Sequence, residues 1–247
     1  MEKPHWTTCH CPLAVFASVI KLRRLLAILL LLSSQLACTA TTLPPYEASY
    51  NTTLRGIQIE GKRKFEQLDG DRYRLSWRAK ALWMKLDEWS EFKIVDGQVR
   101  PLRYHYSRKG IGRERPVQLD FDWNAATIHS RRGDSHQQIP LTAGTLDKLS
   151  YQIQMQLDLS RQVSQPQLHY RVADHRKIKD YHFVYQGQAP LETKLGEIDS
   201  SIYSREKANN ETRIWTSPRH HHLPLRIEWR KGDKKSTATI KSWRSEP

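Results

Sequence analysis

From Tyr46 onward the chain alternates apolar and polar residues with a period of two, and this pattern does most to restrict its fold. Successive side chains of a strand point to opposite faces, so strict alternation marks a strand with one buried and one wet face. Arg72-Tyr-Arg-Leu-Ser-Trp-Arg-Ala-Lys80 puts Tyr73, Leu75, Trp77 and Ala79 on one face, with Arg72, Arg74, Arg78 and Lys80 on the other. The stretch 116–124 repeats this with Val117, Leu119, Phe121 and Trp123 inward and Gln118, Asp120 and Asp122 outward. Further runs cover 46–54, 57–65, 92–95, 102–106, 168–172, 181–185, 195–203, 223–229 and 236–243. One-sided alternation favours antiparallel sheets.

Turn residues separate the runs. Asp69-Gly70-Asp71, Asp96-Gly97, Lys109-Gly110, Arg132-Gly133-Asp134, Ala173-Asp174-His175, Asn209-Asn210 and Lys231-Gly232-Asp233 sit between them. Asp-Gly and Gly-Asp pairs accept positive φ at little cost and mark hairpins. Short connections make sequential strands pair in order, which predicts a meander. One segment reads as helical. Residues 145–159 place Leu146, Leu149, Ile153 and Leu157 on one helical face, with Thr145 as N-cap and Asp147 suited to the first turn. The fold expected is therefore mainly β: a curved antiparallel meander sheet or open half-barrel, crossed by one helix at about 145–160.

The first 40 residues read differently. Lys21, Arg23 and Arg24 precede the apolar run 25–32, and small residues follow. That order describes a secretory signal peptide. The run is too short to span a bilayer, which takes about 20 apolar residues, and no later stretch approaches that length. Two processing readings compete. Cleavage after Ala40, with Cys38 and Ala40 as the small residues before the cut, is preferred. The alternative is a lipid anchor on Cys38 within Gln35-Leu36-Ala37-Cys38, where Gln35 stands in the place usually held by Leu. The expected layout is residues 1–40 as extension and cleaved signal, and 41–247 as one β-rich exported domain. Residues 1–18 fit a translation start nearer Val19. His5, Cys9, His10 and Cys11 crowd together there, but zinc sites space their cysteines by two to four residues.

Motifs exclude more than they propose. The chain lacks a Gly-Lys-Ser/Thr phosphate loop, a Gly-x-Ser-x-Gly elbow, a His-Glu-x-x-His pair and a Cys-x-x-Cys pair. His220-His-His222 reads as a turn, because consecutive histidines on extended chain cannot all face one ion. His169 and His182 are expected to point outward, opposite the aromatic face. Asp87, Glu88 and Glu91 read as surface charge, and Asp147 and Ser150 as residues that start and pack the helix. No catalytic residue, metal or cofactor is expected.

The opening Tyr46-Glu-Ala-Ser-Tyr50, the mid-chain Thr145-Leu-Asp-Lys-Leu-Ser-Tyr151, Leu191-Glu-Thr-Lys-Leu-Gly196 and Leu223-Pro-Leu-Arg-Ile-Glu228 together resemble, in their order, the domain of unknown function 3108 family of exported Gram-negative bacterial proteins. The resemblance spans nearly the whole of residues 41–247. It implies a periplasmic β-rich domain and brings no catalytic residues.

Charge completes the reading. Residues 41–247 keep 36 of the 40 Lys and Arg and 25 of the 26 Asp and Glu, a net charge of +11. Export argues against nucleic acid as the partner, leaving lipid headgroups, lipopolysaccharide and peptidoglycan as anions, with peripheral association at the membrane. Lys62-Arg63-Lys64, Arg108-Lys109 with Arg113 and Arg115, and Lys234-Lys235 would meet them. The function expected is a non-catalytic binding or envelope-assembly factor. Trp77, Trp83, Trp89 and Trp123 would line a groove under the helix, with Arg113 and Arg115 at its mouth holding a lipid's anionic head. The alternatives are a module that docks on an envelope protein and an enzyme acting on an envelope polymer.

Overall fold

Asp96 and Gly97 both take positive φ, 50° and 68°. A two-residue hairpin needs this left-handed pair to match the twist of its strands, and an Asp-Gly pair provides it. The computed structural model describes residues 43–54, 57–81, 84–110, 114–161 and 165–245. In it, this turn joins β4 (Lys85–Val95) to β5 (Gln98–Lys109). On one side of them lie β1 (Tyr46–Leu54), β2 (Ile57–Gln67) and β3 (Arg72–Lys80). On the other side lie β6 (Val117–Asp122), β7 (Thr127–Arg132) and β8 (Ser135–Pro140). A two-residue strand β9 (Thr145–Leu146) and the helix α1 (Ser150–Arg161) follow. The chain ends in a second meander of β10 (Gln167–Ala173), β11 (Ile178–Thr193), β12 (Gly196–Lys207), β13 (Asn210–Thr216), β14 (Pro224–Lys231) and β15 (Lys234–Ser245).

All fifteen strands belong to one open sheet, ordered from β8 back to β1, then β15 back to β9. Chain neighbours pair antiparallel, except that β9 runs parallel to β10 and does not pair with β8. The two meanders meet where the first strand pairs with the last, from Tyr46 opposite Ser245 to Leu54 opposite Ser236. The sheet curls. Ser130 Oγ on β7 donates to the carbonyl of His175, beyond β10, at 2.9 Å, so the far ends of the sheet approach each other.

Helix α1 lies inside that curl, and its residues 150–157 are all buried. Its buried glutamines make hydrogen bonds, because an unpaired buried amide is costly, although Gln156 Oε1 has no partner among the described residues. Gln154 accepts from Val99 N at 2.7 Å and donates to Gly97 O at 3.3 Å, tying the helix to the β4–β5 turn. Gln156 donates to the Tyr46 hydroxyl at 3.3 Å. The core beneath combines Phe65, Leu75, Phe92, Leu119, Ile153, Leu157, Phe183 and Ile214, all fully buried.

Two features differ from the pattern read in the sequence. The helix begins at Ser150 rather than 145, because Thr145 and Leu146 are recruited as a short strand beside β10. Strands β7 and β8 extend the first meander beyond the runs recognised above. Ser135-His-Gln-Gln-Ile-Pro140 buries only Ile139, so its alternation is too polar to show.

Candidate ligand pocket

Period two, continued back from Phe65 along β2, sends Arg63, Gly61 and Ile59 to the same inner face. On the neighbouring strand Trp77 stands opposite Arg63, and Ala79 opposite Gly61. Gly61 is required here. A Cβ on it would lie 2.5 Å from the Trp77 ring, so the glycine lets the indole lie across the strand. Tyr50 meets the same ring edge-on at 5.1 Å. Leu86 and Glu88 of β4, Leu149 and Gln152 from the start of α1, Ile227 and Trp229 of β14, and Thr52 of β1 complete a pocket of about 350 Å³. Its wall is mostly apolar.

The pocket holds an unusual cation. Arg63 is 2% exposed. Its Nε donates to the Tyr46 hydroxyl at 2.9 Å and its Nη1 to Gln152 Oε1 at 2.6 Å. Its Nη2 is buried without a hydrogen-bond partner, as is Thr52 Oγ1. Both residues line the pocket. Glu88 lines it too and is half-buried. The Tyr104 hydroxyl donates to Glu88 Oε1 at 2.6 Å. Burial pushes the Glu88 carboxyl up to about 7, against the opposing pull of Tyr104 and of the Lys148 charge.

Beside the pocket, Asp147 starts the helix. Its Oδ1 accepts from Leu149 N at 2.8 Å and Ser150 N at 2.9 Å, while Ser150 Oγ accepts from Asp147 N at 2.7 Å. This reciprocal arrangement is a capping box with serine in the third place. Ser90 Oγ donates to the other carboxylate oxygen at 2.6 Å. Burial pushes the Asp147 carboxyl up. Both groups are committed to holding the helix against β4.

The residues expected to line a groove do not converge. Trp77 is in the pocket. Trp89 is corrected: Glu88 and Ser90 point inward, so Trp89 lies on the outer face, where it stacks on His105 at 5.5 Å and carries Arg74 over its ring. Trp123 lies past the end of β6, donates to Pro101 O at 2.7 Å and carries Arg100 over its ring at 4.7 Å. It borders a separate hollow of about 720 Å³ between β5 and the β9–β10 end of the sheet. Among the described residues, no buried polar atom without a partner lines that hollow. Arg115 is exposed beside the β7–β8 turn. Trp83, Arg113 and Cys38 lie outside the described residues, as do the apolar run and His5, Cys9, His10 and Cys11.

Sequence reasoning places two pocket residues, Glu88 and Arg63, on the surface. Glu88 reads as surface charge, and Arg63 groups with Lys62 and Lys64 as outer charge, yet only those two lysines face outward. The parity set by Phe65 carried the signal.

Other clusters resolve into local structure. Asp87 pairs with Arg78 at 2.9 Å, and Glu91 pairs with Arg74. His169 and His182 stack across β10 and β11 on the exposed face at 4.1 Å. His221 and His222 turn the chain at φ 48° and 53°, and burial pushes His222 down to about 4. Among the described residues no three His, Cys, Asp or Glu side chains converge as a metal site.

The fold has a solved counterpart. A crystal structure of a β-barrel-like protein of domain of unknown function DUF1849 from Brucella abortus matches with a TM-score of 0.56 and 9% identity, covering 83% of this chain and 99% of that one. At that identity the likeness is one of fold. No curated protein matches the sequence. The model of the family described as protein of unknown function (DUF3108) matches residues 45–239, and the chain belongs to that family.

Proposed function

We propose that this protein is a non-catalytic binding factor of the periplasm that holds the apolar part of a small amphiphile in the pocket between β2, β3 and the start of α1. The carrying observation is that pocket itself: about 350 Å³, walled by Trp77, Ile59, Leu86, Leu149 and Ile227, with few polar groups converging on it. Its volume is at the small end of ligand pockets, about 300–1,000 Å³, which suits one short chain better than a multi-acyl lipid. The basic cluster and apolar run at 21–32 support export. The carboxylates and hydroxyls a hydrolytic site would use, Asp147 and Ser150, are engaged in capping the helix.

Native mass spectrometry of the protein isolated from its own cells tests this. A non-covalent small-molecule adduct released on activation is the expected result. A bare polypeptide that also fails to take up any added amphiphile would overturn it, and would favour docking on an envelope protein.

A further inference from the structure

Arg63 poses an electrostatic problem that the described residues leave unsolved. A guanidinium stays protonated in proteins, and buried charges are normally paired. Its two bonded partners, a phenol and an amide, are both neutral. Among the described residues no carboxylate comes within ion-pair distance of it. The third nitrogen, Nη2, is buried without a hydrogen-bond partner, as is Thr52 Oγ1, and both residues line the apolar pocket. The nearby carboxylate, Glu88, is already bonded to Tyr104, and its burial raises its affinity for a proton.

We infer that the pocket is built for an anionic amphiphile with a single short chain, whose head accepts hydrogen bonds from Arg63 Nη2 and Thr52 Oγ1 while its chain lies against Trp77. This rests on the binding role proposed above and adds the charge of the ligand. Charge-assisted hydrogen bonds are roughly twice as strong as neutral ones, and a desolvated guanidinium is the stronger case. Trp229 stands 39% exposed at the rim and Trp77 inside, so tryptophan emission reports entry.

The test compares decanoate, decanol and decylammonium, all below their aggregation concentrations, against the wild-type protein by tryptophan emission and thermal shift. Decanoate is expected to bind roughly tenfold or more tighter than decanol, with decylammonium weakest. Thr52→Val deletes a hydroxyl that has no partner within the protein. It should weaken decanoate several-fold, weaken decanol less, and fold normally. Arg63→Met should abolish the preference for decanoate. Should that variant fail to fold, the wild-type and Thr52→Val comparisons still decide. Decanol binding as tightly as decanoate would overturn the anion assignment and leave the pocket standing. No binding of any of the three would overturn both.

Discussion

Arg63, Glu88 and Gly61 set the chemistry of the pocket, and Glu88 and Gly61 each make a separate prediction. Glu88 is an acid whose folded pKa is raised to about 7 from an ordinary value of 4.5. Such a group binds its proton more tightly in the folded state. Its stabilising contribution is therefore full below about 4.5 and is lost as pH rises through 7, a change of up to about 3 kcal/mol. Asp174 has the opposite sign: burial pushes its pKa up, but Lys179, Lys148 and His175 hold it well below the carboxylate range. Its contribution changes only below that window. Glu88→Gln keeps an acceptor for Tyr104 and removes the titration. The melting temperature of the variant should match wild type near pH 4.5 and exceed it at pH 8; equal melting at both would show that Glu88 does not titrate this way. Gly61→Ala drives a methyl group into the Trp77 ring and should cost about 1–3 kcal/mol as overpacking. A blue or red shift in tryptophan emission should accompany the loss, and an unshifted spectrum would mean that the indole does not rest on that glycine.

At the scale of elements, the joint between α1 and β4 depends on Asp147. Asp147→Ala removes the cap of the helix and strands the buried Ser90 hydroxyl, so it should destabilise by about 2–4 kcal/mol in denaturant unfolding. A loss under about 0.5 kcal/mol would show that the helix is anchored elsewhere. The strands themselves were largely legible in the sequence. Tyr46–Leu54 and Arg72–Lys80 match β1 and β3 residue for residue, because their alternation is strict. The edge strand β8 was hidden because it buries one side chain and needs no apolar face. The start of α1 was hidden because Thr145 and Leu146 satisfy both a helical stripe and a strand beside β10, and only the parallel pairing decides. The pocket was half legible. Trp77 followed from parity, whereas Trp89 was misplaced by counting tryptophans and ignoring which face each occupied. Arg63 was misplaced for the converse reason: a charge between two lysines reads as surface, although Phe65 two residues on fixes it inward.

At the scale of the molecule, the sheet is held at its centre by contacts between its first and last strands, β1 and β15. Ser49 Oγ and Ser242 Oγ, 193 residues apart, lie 2.6 Å from each other. Arg244 and Glu47 form an ion pair on the same seam. Closing so long a loop is slow, and the gain comes only when both meanders are in place. Hydrogen exchange should therefore find the amides of β1 and β15 opening only with global unfolding, while those of β8, at the free edge, open locally and sooner. Protection of β8 equal to that of β1 would mean that its edge is covered. The curl places α1 between the two ends of the sheet, and the pocket holding Arg63 is the space left beside the start of the helix.

That space carries the central claim, and a crystal structure of the wild-type protein grown with decanoate tests it most directly. The account predicts a carboxylate oxygen at about 3 Å from Arg63 Nη2, within reach of Thr52 Oγ1, with the chain along Trp77. An ordered water alone on Nη2, with the pocket otherwise empty or the fatty acid bound elsewhere, would contradict it.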